Sequence, residues 1–328
     1  VTSNGVLVEA SGLKKHYPLR TGFLASFLRS GGRRWVRAVD GIDLQIHRGE
    51  AVGLVGESGS GKSTTGLVMA LLEKPTAGEV RIAGRNPFAL QARDLREMRK
   101  KVQIIFQDPY LTLDPRFRVI DTVREPLGIH RIGTRDRRQQ MAARALEEAG
   151  LPKNLVDRYP HELSGGQRQR VAIARAMVLE PEFVVADEPV SMLDVSVRAG
   201  IMSLMVRLKE QHQVTYLFIS HDLAVCRYMC ERIAVMYLGR IVETGDRESL
   251  LQEPFHPYTR LLVSAVPVPD PKASRKRVQV SGEIPSSSEI IQGCGFYSRC
   301  QEASPECAES VPPLREVAPG RLVACHKV

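Results

Sequence analysis

The stretch Ala51–Leu72, AVGLVGESGSGKSTTGLVMALL, sets an apolar run, a glycine-rich loop and a helical pattern in that order. Ala51 to Val55 is short and apolar, as a buried strand would be, and Ser63 to Leu72 reads as a helix. Between them Gly56-Glu57-Ser58-Gly59-Ser60-Gly61-Lys62-Ser63 fits G-x-x-x-x-G-K-[ST], and strand, loop and helix are the context that pattern requires. Gly56, Gly59 and Gly61 let the backbone turn tightly with its N–H groups facing inward. The helix N-terminus adds partial positive charge where phosphates sit. Lys62 is placed to reach the terminal phosphates, and the Ser63 hydroxyl to ligate Mg²⁺. The candidate nucleotide contacts are Gly56, Glu57, Ser58, Gly59, Ser60, Gly61, Lys62, Ser63 and Thr64. ATP is expected rather than GTP, because no N-K-x-D guanine reader is visible.

A second stretch, PEFVVADEPVSMLD, supplies carboxylates. Phe183 to Ala186 reads as an apolar strand ending in Asp187-Glu188. A carboxylate at a strand's C-terminal end can hold Mg²⁺ through water, and the next one can polarise an attacking water. Alone, such a pair is more often a helix cap or a surface pair; beside a phosphate loop it is a catalytic candidate.

LSGGQRQRVAIARAM gives the chain its class. Leu163-Ser164-Gly165-Gly166-Gln167 resembles the signature of ABC-type ATPases. The resemblance implies that Ser164, Gly165, Gly166 and Gln167 close over ATP held by a facing subunit, so that two chains form composite sites. It extends to Gln107 in IIFQDP, similar to the glutamine that senses the γ-phosphate. Asp194 in SMLD is similar to the aspartate that communicates across the dimer, and His221 in FISHD to the switch histidine. Tyr17 in LKKHYP resembles the aromatic that stacks on adenine, with Trp35 and His16 as weaker alternatives. Taken alone, His221 reads as a capping or buried histidine and Tyr17 as ordinary core; order and context favour the functional reading. The implied catalytic set is Glu188, His221, Lys62 and Gln107, with Mg²⁺ near Ser63, Gln107 and Asp187. Met192 stands where the family often has a small residue.

The expected fold is α/β: a P-loop ABC ATPase core, RecA-like with a mixed sheet and an antiparallel β subdomain, plus a helical subdomain and a small irregular Cys-rich extension. Residues 1–250 are read as the nucleotide-binding domain, with the helical subdomain inserted at about 108–170, and 251–328 as the extension. TVREPLGIH and RDRRQQMAARALEEAG read as helices, the second ended by Gly150, with Met141, Ala145, Leu146 and Ala149 on its apolar face. VTYLFIS and RIAVMYLGRIVETG read as strands, the latter as a hairpin about Gly239-Arg240. Cys226 and Cys230, four apart, share a helical face, and buried inert thiols are favoured there over a metal pair.

Composition is that of an ordinary globular protein: 43% hydrophobic and 25% charged residues, with a net charge of +9. Basic clusters at Arg33-Arg34, Arg99-Lys100-Lys101, Arg135-Arg137-Arg138 and Lys272-Arg275-Lys276-Arg277 read first as solvated surface. Aromatic residues make up only 5%, which argues against a base-stacking nucleic-acid platform, and no nucleic-acid partner is expected. No apolar run is long enough to span a bilayer, and VTSNGVLVEASGLKK lacks the order of a secretory signal, so an intracellular protein is expected.

From about Pro254, EPFHPYTRLLVSAVPVPDP, GEIPSS and GCGFYSRC resemble the C-terminal extension of oligopeptide, dipeptide and nickel importer ATPases. LKKHYPLR and FQDPYLTLDPR are similar to the second of the two ATPase subunits of such importers. Cys294, Cys300, Cys307 and Cys325 crowd the tail in the spacing C-x5-C-x6-C-x17-C. Disulfides are disfavoured in the cytosol, and the spacing does not fit the paired C-x2-C of zinc ribbons. A structural iron–sulfur cluster is expected on these thiolates, and the family resemblance favours the 4Fe–4S type; zinc is the alternative.

The resemblance implies the ATP-hydrolysing motor of a membrane importer, most simply for di- or oligopeptides, with nickel, glutathione or another small solute as alternatives. Implied partners are a homologous ATPase subunit, two transmembrane permeases and an extracytoplasmic substrate-binding protein, at the cytoplasmic face of the inner membrane. DNA-repair relatives would need a long insertion between Gln107 and Leu163, and translation-factor relatives a second ATPase domain; neither is present. A regulatory module without turnover conflicts with Glu188 and His221.

Overall fold

The protein is described by a computed structural model covering residues 5–19, 35–266 and 292–328. The clusters at Arg33-Arg34 and Lys272–Arg277, the GEIPSS stretch and most of the segment between Pro18 and Arg37 lie outside the described residues.

Eleven strands appear among the described residues: β1 (Val6–Pro18), β2 (Trp35–His47), β3 (Ala51–Val55), β4 (Ala77–Ile82), β5 (Val102–Ile105), β6 (Phe183–Asp187), β7 (Thr215–Ser220), β8 (Arg232–Tyr237), β9 (Arg240–Asp246), β10 (Arg315–Ala318) and β11 (Arg321–Val323). They form a three-stranded antiparallel sheet, β2-β1-β4, and an eight-stranded mixed sheet, β10-β11-β9-β8-β3-β7-β6-β5. β8, β3, β7, β6 and β5 are parallel, and β9 turns the edge antiparallel.

The apolar runs read as buried strands have their physical reason in this sheet. β3, β6 and β7 are buried at every position because both faces of the sheet are covered. Alternate residues enter two different cores. Val184, Ala186, Tyr216 and Phe218 face the helical side with the helices Val119–Ile129, Arg135–Glu148 and Gly165–Met177. Val185, Ile219, Val52 and Leu54 face the antiparallel sheet, with Leu13, Ile42 and Val80 opposite. At Gly53 an added Cβ would stand 3.2 Å from the Cys230 thiol and 3.3 Å from that of Cys226. Both cysteines are fully buried, and burial raises the Cys230 thiol pKa.

The helical segment runs as Val119–Ile129 and Arg135–Glu148, with Gly150 in the left-handed region just beyond. Leu146 and Ala149 are buried, Met141 and Ala145 pack against the core, and Ala142 is a buried position the periodic reading passed over. The β8–β9 turn centres on Leu238-Gly239, one residue earlier than expected. Both residues have positive φ, as a two-residue hairpin turn requires.

Beyond β9 the chain continues the same sheet. β11 pairs antiparallel with β9, and Arg321 donates to the fully buried Glu243 at 2.6 Å. Glu243 also accepts the backbone N–H groups of Phe255, at 3.0 Å, and His256, at 2.8 Å. A buried charge satisfied on this many sides is costly to break by removing one partner, about 3–5 kcal/mol. His256 caps the helix Pro257–Ala265, its Nδ1 accepting the Tyr258 N–H at 3.1 Å.

His256 is 1% exposed, and burial depresses its pKa to about 3. The neutral ring is therefore the folded form, and the unfolded chain takes up a proton below its ordinary value of 6.5. This contribution to stability is complete above pH 6.5 and is lost as pH falls toward 3. Urea unfolding of wild type and His256→Asn, which retains a capping acceptor, at pH 7 and pH 5 should show a wild-type decline steeper by about 2 kcal/mol.

Candidate active site

Gly56 to Gly61 leave the end of β3 and enter the helix Lys62–Met69. The fit is tight at two glycines. At Gly61 (φ +102) a Cβ would stand 1.9 Å from the Ala38 carbonyl oxygen, and at Gly56 2.1 Å from that of Met236. Lys62 is 5% exposed and curls back into the loop. Its Nζ donates to the carbonyls of Gly56 and Glu57, both at 2.8 Å, and to Ser60 Oγ at 3.4 Å. Burial lowers the Lys62 pKa, while Glu188, Asp187 and Glu57 counter it.

β6 and β7 bring the acidic residues to the loop. Asp187 ends β6 and lies 3.2 Å from the Ser63 hydroxyl, which donates to it. Burial raises the Asp187 pKa; the Ser63 hydrogen bond opposes this, the Glu188 charge adds to it and Lys62 opposes it. Glu188 follows in the left-handed region (φ 46). Its side chain is held from two directions: Gln107 Nε2 donates to Oε2 at 3.1 Å, and His221 Nδ1 lies 3.0 Å from Oε1. Two side chains from segments far apart in sequence thus converge on one carboxylate.

A cavity of about 810 Å³ opens in front of them. Its walls include Ser58, Gly59, Gly61, Lys62, Ser63 and Thr64 from the loop, together with Gln107, Glu188, His221 and Tyr17. Val36 and Ala38 also line it, which sequence reading missed; nothing in their residue types marks them, and pairing of β2 with β1 brings them there. His16 lies 3.1 Å from Asp40 and is engaged there. Trp35 is 41% exposed and pairs with Pro18 across β1 and β2.

Ser164, Gly165, Gly166 and Gln167 lie elsewhere. Ser164 caps the helix Gly165–Met177 reciprocally: its hydroxyl accepts the Gln167 N–H, and the Gln167 side chain accepts the Ser164 N–H at 2.9 Å. An added Cβ at Gly166 would meet Val197 at 2.4 Å. Asp194 is exposed at the start of the helix Val195–His212. Neither group lines the cavity described above.

The tail cysteines correct the sequence reading. Among the described residues, which include all four, no three His, Cys, Asp or Glu side chains are grouped to hold a metal ion. The iron–sulfur expectation, 4Fe–4S included, is therefore set aside, and zinc with it. Cys294, Cys300, Cys307 and Cys325 are free cysteines. The physical reason is placement, since the fold does not bring these side chains together as one ligand group; burial pushes the Cys294 thiol up to about 11 and raises Cys300 and Cys325. The segment is ordered by other means. The Cys294 N–H donates to the Cys307 carbonyl at 2.7 Å, and Phe296 packs edge-on against Tyr237.

Comparison with known proteins accords with this geometry. The family described as ABC transporter matches residues 39–191, and the oligopeptide/dipeptide transporter C-terminal region matches residues 242–307. The putative oligopeptide transport ATP-binding protein YkfD of Bacillus subtilis is 47% identical over 98% of this chain and 95% of its own length. The dipeptide transport ATP-binding protein DppF of Haemophilus influenzae is 43% identical over 100% of this chain and 98% of its own. Among solved structures, a dimeric, post-hydrolysis ATP-binding cassette bound to ADP and Pi superposes with a TM-score of 0.63 at 31% identity, covering 74% of this chain and 99% of that one. Phosphate loop, paired carboxylates and near-full-length similarity lead to one conclusion: the chain belongs to the ABC transporter ATP-binding proteins and is an ATPase.

Proposed function

We propose that this chain is the ATP-hydrolysing motor subunit of a membrane importer for di- or oligopeptides. The observation that carries the reading is the convergence of Gln107 and His221 on Glu188, in the wall of a cavity also lined by the phosphate loop. The names of the full-length relatives support the peptide cargo. Residues 1–250 form the nucleotide-binding domain in this reading, with a helical subdomain at about 108–170, and 251–328 the extension.

The chemistry follows from the positions. The triphosphate enters along the loop, and Lys62 exchanges the Gly56 and Glu57 carbonyls for phosphate oxygens. Ser63 and Asp187, already 3.2 Å apart, are an oxygen donor pair suited to Mg²⁺, with Gln107 nearby. Bound there, Mg²⁺ would neutralise charge on the phosphates. Glu188 orients the attacking water and accepts its proton, which requires one of its oxygens to be released by Gln107 or His221. Tyr17, which lines the same cavity, stacks on the adenine.

Ser164, Gly165, Gly166, Gln167 and Asp194 lie away from this chain's own cavity, which supports their action on the ATP of a second, homologous ATPase subunit. ATP binding then closes the pair and hydrolysis reopens it. Among the described residues no helix is long and apolar enough to cross a membrane. In this reading the membrane path belongs to two permease subunits, fed by an extracytoplasmic substrate-binding protein, with this chain peripheral at the cytoplasmic face.

Co-purification with those permeases, reconstitution into vesicles and assay of ATP-driven dipeptide uptake tests the cargo; uptake of nickel or glutathione instead would reassign it. Glu188→Gln should lower phosphate release by roughly 10²-fold or more while retaining ATP and prolonging the dimer on size exclusion; wild-type turnover would remove Glu188 from its role. Gly165→Asp suits a helix N-terminus yet repels phosphate, so it should abolish turnover while ATP binding by the isolated chain is unchanged. Equilibrium ATP binding and steady-state turnover on the same preparation check that split.

A further inference from the structure

Two side chains from beyond the ATPase core reach the phosphate loop at Glu57. Arg299 grips the Glu57 carboxylate with both terminal nitrogens, Nη1 to Oε2 at 2.8 Å and Nη2 to Oε1 at 3.0 Å. Tyr258 Oη accepts the Glu57 backbone N–H at 2.8 Å. The Glu57 carbonyl is one of the two that hold Lys62. Every polar group of this loop residue is thus engaged, two of them by the extension, 242 and 201 residues away in sequence.

The contact is a built one. Arg299 is 8% exposed and Tyr258 is fully buried. The guanidinium lies 5.8 Å over the Tyr237 ring and 5.6 Å over that of Phe296, and Nη1 also donates to Tyr237 Oη at 3.3 Å. Tyr237 and Tyr258 are themselves in ring contact at 4.6 Å. A bidentate arginine clamped between rings fixes its carboxylate in direction as well as distance. Glu57 carries no side chain into the nucleotide cavity, whose walls begin at Ser58. Its carboxylate therefore serves the loop's shape rather than touching the phosphates.

From this geometry we infer that Arg299 and Tyr258 are positioning residues of the ATP site: they hold Glu57, keep the phosphate loop open to nucleotide, and couple the Cys-rich segment to ATP binding. The coupling is reciprocal by thermodynamic necessity, so ATP must also order the segment around Arg299.

The test is a double-mutant cycle on the full-length chain, with radiolabelled MgATP binding and steady-state turnover as readouts. Arg299→Lys keeps the charge but loses the bidentate geometry, and Glu57→Gln approaches the pair from the loop. Each should weaken ATP affinity roughly tenfold, with a smaller effect on kcat, and the double variant should be no worse than either single one. In wild type, MgATP should slow hydrogen exchange at the amides of Tyr297–Cys300, and in Glu57→Gln it should not. The swap of Glu57→Arg with Arg299→Glu should recover part of the affinity, which a merely destabilised fold would not. Unchanged ATP affinity in both singles, additive losses in the double, or ATP-independent exchange in wild type would overturn the inference.

Discussion

The burial of β3 on both faces is the constraint on which the rest of the structure depends. A strand flanked by parallel neighbours and covered by two cores has no freedom to slide, because a one-residue slip would exchange its two faces. The phosphate loop leaves its end and inherits that rigidity. The parallel registers of β6 and β7 then deliver Asp187, Glu188 and His221 to the same edge. Ligand sites outside the carboxyl ends of parallel strands are the general outcome of such sheets.

The carboxylate at Glu188 is fully occupied by Gln107 and His221, and Lys62 by its own loop. Each bond satisfies a group that would otherwise be costly to leave unpaired.

The extension is integrated rather than appended. It adds β10 and β11 to the main sheet, anchors Arg321 on the buried Glu243 and closes on the phosphate loop through Arg299 and Tyr258. Cysteines in such a place need no metal to be ordered, since ring packing and backbone hydrogen bonds already hold the turn around Phe296.

Much of the site was legible before folding because it is written in contiguous pieces. A phosphate loop works through local backbone geometry, so Gly56 to Thr64 carry their own evidence, and Asp187-Glu188 at the end of an apolar run do nearly the same. The helices Val119–Ile129 and Arg135–Glu148 followed from local periodicity, and the buried strands from their length. What the sequence could not contain was the distance between pieces. Val36 and Ala38 line the cavity only because β2 pairs with β1, and the Arg299–Glu57 clamp spans 242 residues. The cysteines show the same limit: their spacing suggested ligands, while the fold, which spacing does not encode, forms no metal-holding group of side chains among the described residues. Local chemistry was determined by the order of residues; which distant groups meet, and in which protonation state, was decided by packing, since both depend on what surrounds a side chain in three dimensions.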